Sequence, residues 1–317
     1  MSDPFSSTLS LLGTRGVRGT SLEASGEWAL SFDGRARLKF VAVTRGHCWL
    51  LLPCHPPEEA VEGDVLLLSD TRYVVASDPA VEPEDGMELY AAPGHDTVRI
   101  GDGIGTVLVG GGTAFAEGCA AYVLDVLPSF LRIDAASAEA GSVARTLVAL
   151  QEEVRRDAMG SSLIAERLAE ILIVEAVRAY VAAGPADRVG WITALADPRI
   201  AKAIGLMHRD AARRWTVPIL AREVGMSRSN FTRRFTERVG RPSSDYLTRW
   251  RMIMAQRMLQ AGHPVSTVAT EVGYSSQGAF AQAFKRTLGC TPTSGRLGSE
   301  AFAEALGAEE TSAYNKA

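Results

Sequence analysis

The stretch from Val265 to Arg286, VSTVATEVGYSSQGAFAQAFKR, matches an earlier one from Trp215 to Phe235, WTVPILAREVGMSRSNFTRRF, in the same order, with one more residue between the glycine and the first phenylalanine. Ala221 and Gly225 in the first copy become Ala269 and Gly273 in the second, about 48 residues on. A small alanine lets two helices cross closely, and a glycine supplies the positive φ of a tight turn. Phe231 and Phe235, then Phe280 and Phe284, stand four apart and share one helix face. Thr216 is placed to cap the first helix, ahead of Pro218, and Ser227 to cap the next. One such Ala-x-x-x-Gly turn is weak evidence, since enzymes contain them too. Two copies with matching aromatics predict a pair of helix-turn-helix units.

Residues left facing outward are polar and basic. In the first copy they are Arg228, Ser229, Thr232, Arg233 and Arg234; in the second, Gln277, Gln282, Lys285 and Arg286. Arginine pairs with guanine and glutamine with adenine in the major groove, and both contact phosphates. Between the copies, Tyr246, Leu247, Trp250, Ile253, Met254, Met258 and Leu259 predict a long helix with an apolar face, shared by both units. Successive major grooves on one DNA face lie about 34 Å apart, so one chain is able to read both.

Charge follows the same division. The 317-residue chain carries a net −4, yet Asp197 to Leu297 holds 17 Lys and Arg against 6 Asp and Glu, or +11. Met1 to Ala196 holds 15 against 27, or −12, and Gly298 to Ala317 adds −3. A basic segment on an acidic protein is the footprint of a polyanion-binding domain. At 46% hydrophobic and 22% charged, the composition is that of an ordinary globular protein. Neither a secretory leader nor a membrane-spanning run is found, so a cytoplasmic protein is expected. Four cysteines in a chain of this length make no disulfide framework.

Up to about Ile133, short apolar runs alternate with turn signals, among them RLKFVAVTRG, CWLLLP, EGDVLLLSD and GTVLVGGG. They predict a sandwich or barrel, with a short helix over 6–12 ahead of it. Gly110-Gly111-Gly112 lacks the following residues of a phosphate loop and is expected to be a tight turn or bulge. From Ala138 the period turns helical, giving one helix with Val143, Leu147, Leu150 and Val154 and a second with Leu163, Ile164, Leu168, Ile171, Leu172 and Ile173. This bridging pair is either packed core or a dimer interface, with Leu168 and Leu172 the candidate dimer contacts. Asp197-Pro198 then caps and starts the helical domain. The expected division is 1–137, 138–190, 191–297 and an acidic tail, 298–317.

Residues from about 199 to 297 resemble the DNA-binding domain of AraC/XylS-type transcription regulators, whose C-terminal signature is carried by VATEVGYSSQGAFAQAFKRTLGCTP. The resemblance implies base-reading positions at Ser229, Thr232 and Arg233 in the first unit and at Gln277, Gly278 and Gln282 in the second. Arg228, Arg234, Lys285 and Arg286 are then the phosphate contacts. The chain departs from the family pattern at Thr267, where Asp is usual, at Gln282, where Arg is usual, and at Gly295, where an aromatic is usual.

GHCWLLLP, EGDVLLLSD, TVRIGDG and LPSFLRI resemble the cupin-type sensor domain found in a subset of these regulators. The fold class implied is α+β: a cupin-like barrel or sandwich, a bridging helix pair, and an all-α domain with two helix-turn-helix units. Related domains carry histidines where this chain has Val41 and Val74, and valine binds no metal. His47, Cys48, Cys54 and His55 fit no zinc spacing, and His47 and Cys48 point to opposite faces of a strand. His95, His208 and His263 are expected at the surface or as caps. No catalytic constellation, metal or cofactor is expected. The partners expected are double-stranded DNA, a small-molecule effector of unknown identity, a second copy of the chain and RNA polymerase. Two other readings remain: a cupin-type enzyme with a DNA-binding appendage, and a regulator whose β domain binds only protein.

Overall fold

The computed structural model describes residues 3–12, 15–91, 96–114, 120–134, 140–156, 158–183 and 189–294. Of these, 15–114 and 120–183 make one compact unit, and 3–12 with 189–294 the other. The division differs from the expected one in two places. The first helix, α1 (Pro4–Leu12), packs with the C-terminal helices instead of the β structure. The bridging helices do not stand apart but belong to the β unit.

The β unit runs β1 (Arg15–Ala24), β2 (Ala29–Arg45), β3 (His47–Leu51), β4 (Glu58–Val61), β5 (Val65–Ala76), β6 (Glu84–Asp85), α2 (Gly86–Leu89), β7 (Thr97–Ile100), β8 (Thr106–Ala114), α3 (Ala121–Leu124), β9 (Phe130–Ile133), α4 (Ala140–Arg155) and α5 (Ser161–Ala183). Its strands form one mixed sheet in the order β4-β3-β5-β2-β8-β1-β7, with β6 on β2 and β9 on β5. One apolar core draws Leu22, Leu30, Val41, Val43, Leu50, Leu66, Val75 and Leu108 from five strands. A single sheet shares one core among so many strands only by curling round it, which is the architecture the alternating runs predict.

Helices α4 and α5 cover part of the other face. A side chain at Gly19 on β1 would meet Val154 Cγ2 at 3.1 Å, Leu150 Cδ1 at 3.3 Å and Ala165 Cβ at 3.6 Å. Leu147, Leu150, Ala169, Leu172, Ile173 and Val177 are buried there. Of the two dimer candidates, Leu168 is half-buried and Leu172 fully buried within its own unit. Among the described residues, the large apolar side chains of α5 that are exposed are Leu163, Ile164 and Ile171.

Gly110-Gly111-Gly112 makes no turn. The three residues sit inside β8, paired with β1 on one side and β2 on the other. At Gly112 the role is space, not curvature: a Cβ there would lie 2.6 Å from Cγ of Lys39. The two valines standing where ligands are usual do not share a face. Val41 is in the core, whereas Val74 lies between the inward Tyr73 and Val75.

The helical unit contains α1, a 3-10 turn (Thr193–Ala196), α6 (Pro198–Arg209), α7 (Val217–Glu223), α8 (Arg228–Val239), α9 (Ser243–Gln260), α10 (Val265–Glu271) and α11 (Gln277–Leu288). Asp197 caps α6 as expected, accepting hydrogen bonds from the backbone N–H groups of Arg199 and Ile200. Phe5 of α1 is buried and its ring lies 6.4 Å from that of Trp191. His208 is buried too, against expectation. Its ring stacks on Trp250 with centroids 3.6 Å apart and shares a 2.7 Å hydrogen bond with the Tyr246 hydroxyl. Burial pushes its pKa down to about 3. His95, Cys119, Gly295, Arg296 and the acidic tail lie outside the described residues.

Candidate nucleic-acid interface

Two structurally equivalent units face outward from the helical domain. Each has a seven-residue helix, α7 or α10, a glycine turn, and a twelve-residue helix, α8 or α11. Gly225 and Gly273 turn the chain at φ +65° and +83°, a region that other residues enter at a cost. Ser227 Oγ accepts from Asn230 N at 3.3 Å, and Ser276 Oγ from Ala279 N at 3.1 Å, so each longer helix begins on a serine cap. Thr216 occupies the cap position of α7 without a side-chain bond. Both longer helices end on a left-handed glycine, Gly240 and Gly289.

The paired phenylalanines do what their spacing predicts. Phe231 and Phe235 are buried with ring centroids 5.5 Å apart, and Phe280 and Phe284 are buried at 5.6 Å. Anchoring one face inward leaves the other in solvent. Ser229, Thr232 and Arg233 are exposed on α8, as are Gln277, Gly278 and Gln282 on α11. Arg228, Lys285 and Arg286 are exposed beside them. Among the described residues, Arg233 bonds only neighbours on its own helix, Asn230 Oδ1 at 3.2 Å and Glu237 Oε1 at 3.4 Å. Exposed pairs of this kind are worth little and are readily exchanged for another partner.

Arg234 is different. Its guanidinium donates to the buried carboxylate of Asp197, which joins α8 to the start of α6. Burial alone would raise the Asp197 pKa; hydrogen bonds from Arg234, Arg199 and Ile200 outweigh it and hold the carboxyl below its ordinary value. The side chain expected on a phosphate is thus engaged inside the protein. Lys202 is a further contact that the spacing does not disclose: its Nζ donates to the carbonyl of Glu223 at 2.6 Å, at the end of α7.

Candidate chemistry in the β unit is sparse. Cys48 is buried and its thiol is pushed up to about 12 by burial and by Asp64, which makes it a poor thiolate. Cys54, His47 and His55 are exposed. Among the described residues, no three His, Cys, Asp or Glu side chains are grouped as a metal site. A cavity of about 500 Å³ is lined by Phe32, Leu51, Leu52, Tyr73, Val74 and Met87, with Ser31, Asp33 and Arg72 among its polar walls. No helix among the described residues is long and apolar enough to cross a membrane.

Residues 3–182 match the cupin family model and residues 220–297 a helix-turn-helix domain model. An AraC-like transcription regulator of Streptomyces lividans is 39% identical over 293 residues, covering 92% of this chain and 96% of that protein. One from Streptomyces antibioticus is 38% identical, covering 92% and 97%. The solved DNA-binding domain of AdpA, in complex with a target DNA, is 30% identical and covers 32% of this chain and 94% of that one, with a TM-score of 0.31.

Proposed function

Since the chain belongs to the AraC-like transcription regulators, with a cupin domain ahead of its helix-turn-helix domain, we propose that it reads DNA with both α8 and α11. The base contacts are Ser229, Thr232 and Arg233 in one groove and Gln277, Gly278 and Gln282 in the next. The observation that carries this is the equivalence of the two units. Both present an exposed polar face on a serine-capped helix held from behind by two buried phenylalanines. Arg228, Lys285 and Arg286 position the helices on phosphates. Selection of bound sequences from a random DNA pool, followed by footprinting, tests the reading. Two protected boxes one helical turn apart support it. A single protected box, unaffected by Gln277→Ala and Gln282→Ala, overturns the assignment of α11.

The β unit takes a small-molecule effector. Its cavity has the volume of a ligand site, about 300–1,000 Å³, and combines aromatic and aliphatic walls with a few polar groups. The ammonium of Lys39 lies 5.4 and 5.5 Å from the ring centroids of Phe32 and Tyr73, two of those walls. Two chains pair through the exposed face of α5, where Leu163, Ile164 and Ile171 leave apolar surface uncovered.

A further inference from the structure

Each helix-turn-helix unit has its own apolar core. Phe231, Phe235 and Tyr246 pack together in the first. Met252, Ala255 and Leu259 pack with Val268, Ala269, Val272, Phe280 and Phe284 in the second. Helix α9 contributes its first half to one core and its second half to the other. A single helix fixes the distance between two units but leaves the second free to tilt about their junction.

Arg251, at the middle of α9, closes that junction. Its Nε donates to the carbonyl of Ala211 at 2.7 Å, and its Nη2 to those of Ala212 at 3.3 Å and Arg213 at 3.0 Å. These carbonyls belong to the loop between α6 and α7, in the first unit. The same guanidinium lies 5.8 Å from the ring centroid of Tyr274, in the turn of the second unit. Gly273 brings that turn close: a Cβ there would lie 2.5 Å from the Ala212 carbonyl oxygen and 2.9 Å from Arg251 Nη2. Backbone from one unit, backbone and ring from the other, and the connecting helix meet at one planar cation. A guanidinium suits this place because its donors form a rigid fork.

We propose that Arg251 is a positioning residue that sets the angle between the two recognition helices, and thereby the spacing of DNA boxes that one chain reads together. It touches no base. Its effect depends on α8 and α11 both reading DNA, the reading put forward above. Linking two binding modules raises affinity only when geometry lets both engage at once. Without the clamp, each unit still recognises its own box, but the pair no longer fits one spacing.

The test uses the full chain and the operator it selects from a random pool. Binding is measured to the intact operator, to operators with either box scrambled, and to operators with one base pair inserted or removed between boxes. Arg251→Met keeps the aliphatic stem and removes the fork. It is expected to keep single-box affinity within about twofold, lose at least tenfold on the intact operator, and flatten the dependence on spacing. Arg251→Lys keeps a charge but not the fork, and should fall between. Thermal melts establish that the variants fold; if Arg251→Met does not, Tyr274→Leu, which removes the ring from the same junction, is measured in the same way. Equal losses on single-box and intact operators, or an unchanged spacing profile in a folded variant, overturn the proposal. Failure of the unsubstituted protein to use two boxes counts against the two-helix reading instead.

Discussion

Arg233 and Arg234 are adjacent on α8, yet one guanidinium is in solvent and the other is bound to the Asp197 carboxylate, which is 5% exposed. One step along a helix turns a side chain by about 100°, so neighbours of the same type serve different ends. Arg233→Ala should cost about 1–3 kcal/mol of specific DNA affinity and relax preference at one base pair, a G·C, with little change in melting temperature. Arg234→Ala should instead lower stability by about 1–2 kcal/mol, since it leaves a buried carboxylate without its charged donor. Titration against operators substituted base by base, beside urea unfolding, separates the two. Equal effects of both substitutions on base preference would show that the division is wrong.

Lys285 lies exposed on the last turns of α11, where a phosphate contact carries no sequence information. With about six phosphates neutralised, log K should fall with log[salt] with a slope near −5. Lys285→Ala should weaken all sequences about equally and reduce that slope by about 1. The check is binding isotherms at several salt concentrations on specific and scrambled DNA. An unchanged slope would remove Lys285 from the phosphate contacts.

His208 makes the helical domain sensitive to acid. An unfolded chain protonates this imidazole near pH 6.5, whereas the folded one resists until about 3. Between those values the unfolded state binds a proton that the folded state does not. The contribution is therefore fully present above pH 6.5 and is lost as pH falls, by up to about 1.4 kcal/mol per pH unit. His208→Gln should flatten the profile between pH 6.5 and 5, above the range where carboxylates titrate. Urea midpoints at pH 7.5, 6 and 5 read this directly. A wild-type midpoint constant over that range would mean that the ring is not held neutral.

Ile171 and Leu172 offer a second adjacent pair. Ile171 is 47% exposed and Leu172 not at all. Ile171→Asp should leave the fold intact and reduce self-association, if α5 pairs two chains. Leu172→Asp buries a carboxylate in the core and should unfold the β unit. Light scattering with circular dichroism distinguishes loss of pairing from loss of fold. A folded Ile171→Asp protein with undiminished pairing would place the interface elsewhere.

Legibility in the sequence follows the range of the interactions concerned. The helix-turn-helix units are readable because their determinants are local: a glycine turn, a serine cap and phenylalanines four apart. Gly110 to Gly112 mislead because glycine usually marks a turn, and only the neighbouring strand shows that the space at Gly112 belongs to the stem of Lys39. His208 misleads because nothing nearby in the chain discloses that Tyr246 and Trp250 enclose it. Arg234 and Arg251 look like ordinary members of a basic helix face; the oxygens they donate to across the fold lie 37 or more residues away. Leu172 shares a helical face pattern with exposed neighbours, and period alone does not say which side of α5 meets the sheet.

The place of α1 bears on how the protein is made. During synthesis α1 has to wait for Trp191, roughly 190 residues later, before its Phe5 finds a ring to pack against. At about 5–20 residues per second that is roughly 10–40 s. By the end of that interval the β unit is complete in length, while α1 still lacks the helices it packs with. The helical domain is thus discontinuous in sequence, with the β unit inserted between its pieces. A fragment cut down to the two helix-turn-helix units would lack both Phe5 and Trp191 and so leave this side of the helical domain open; one that begins before Trp191 and carries α1 in trans or by fusion restores it.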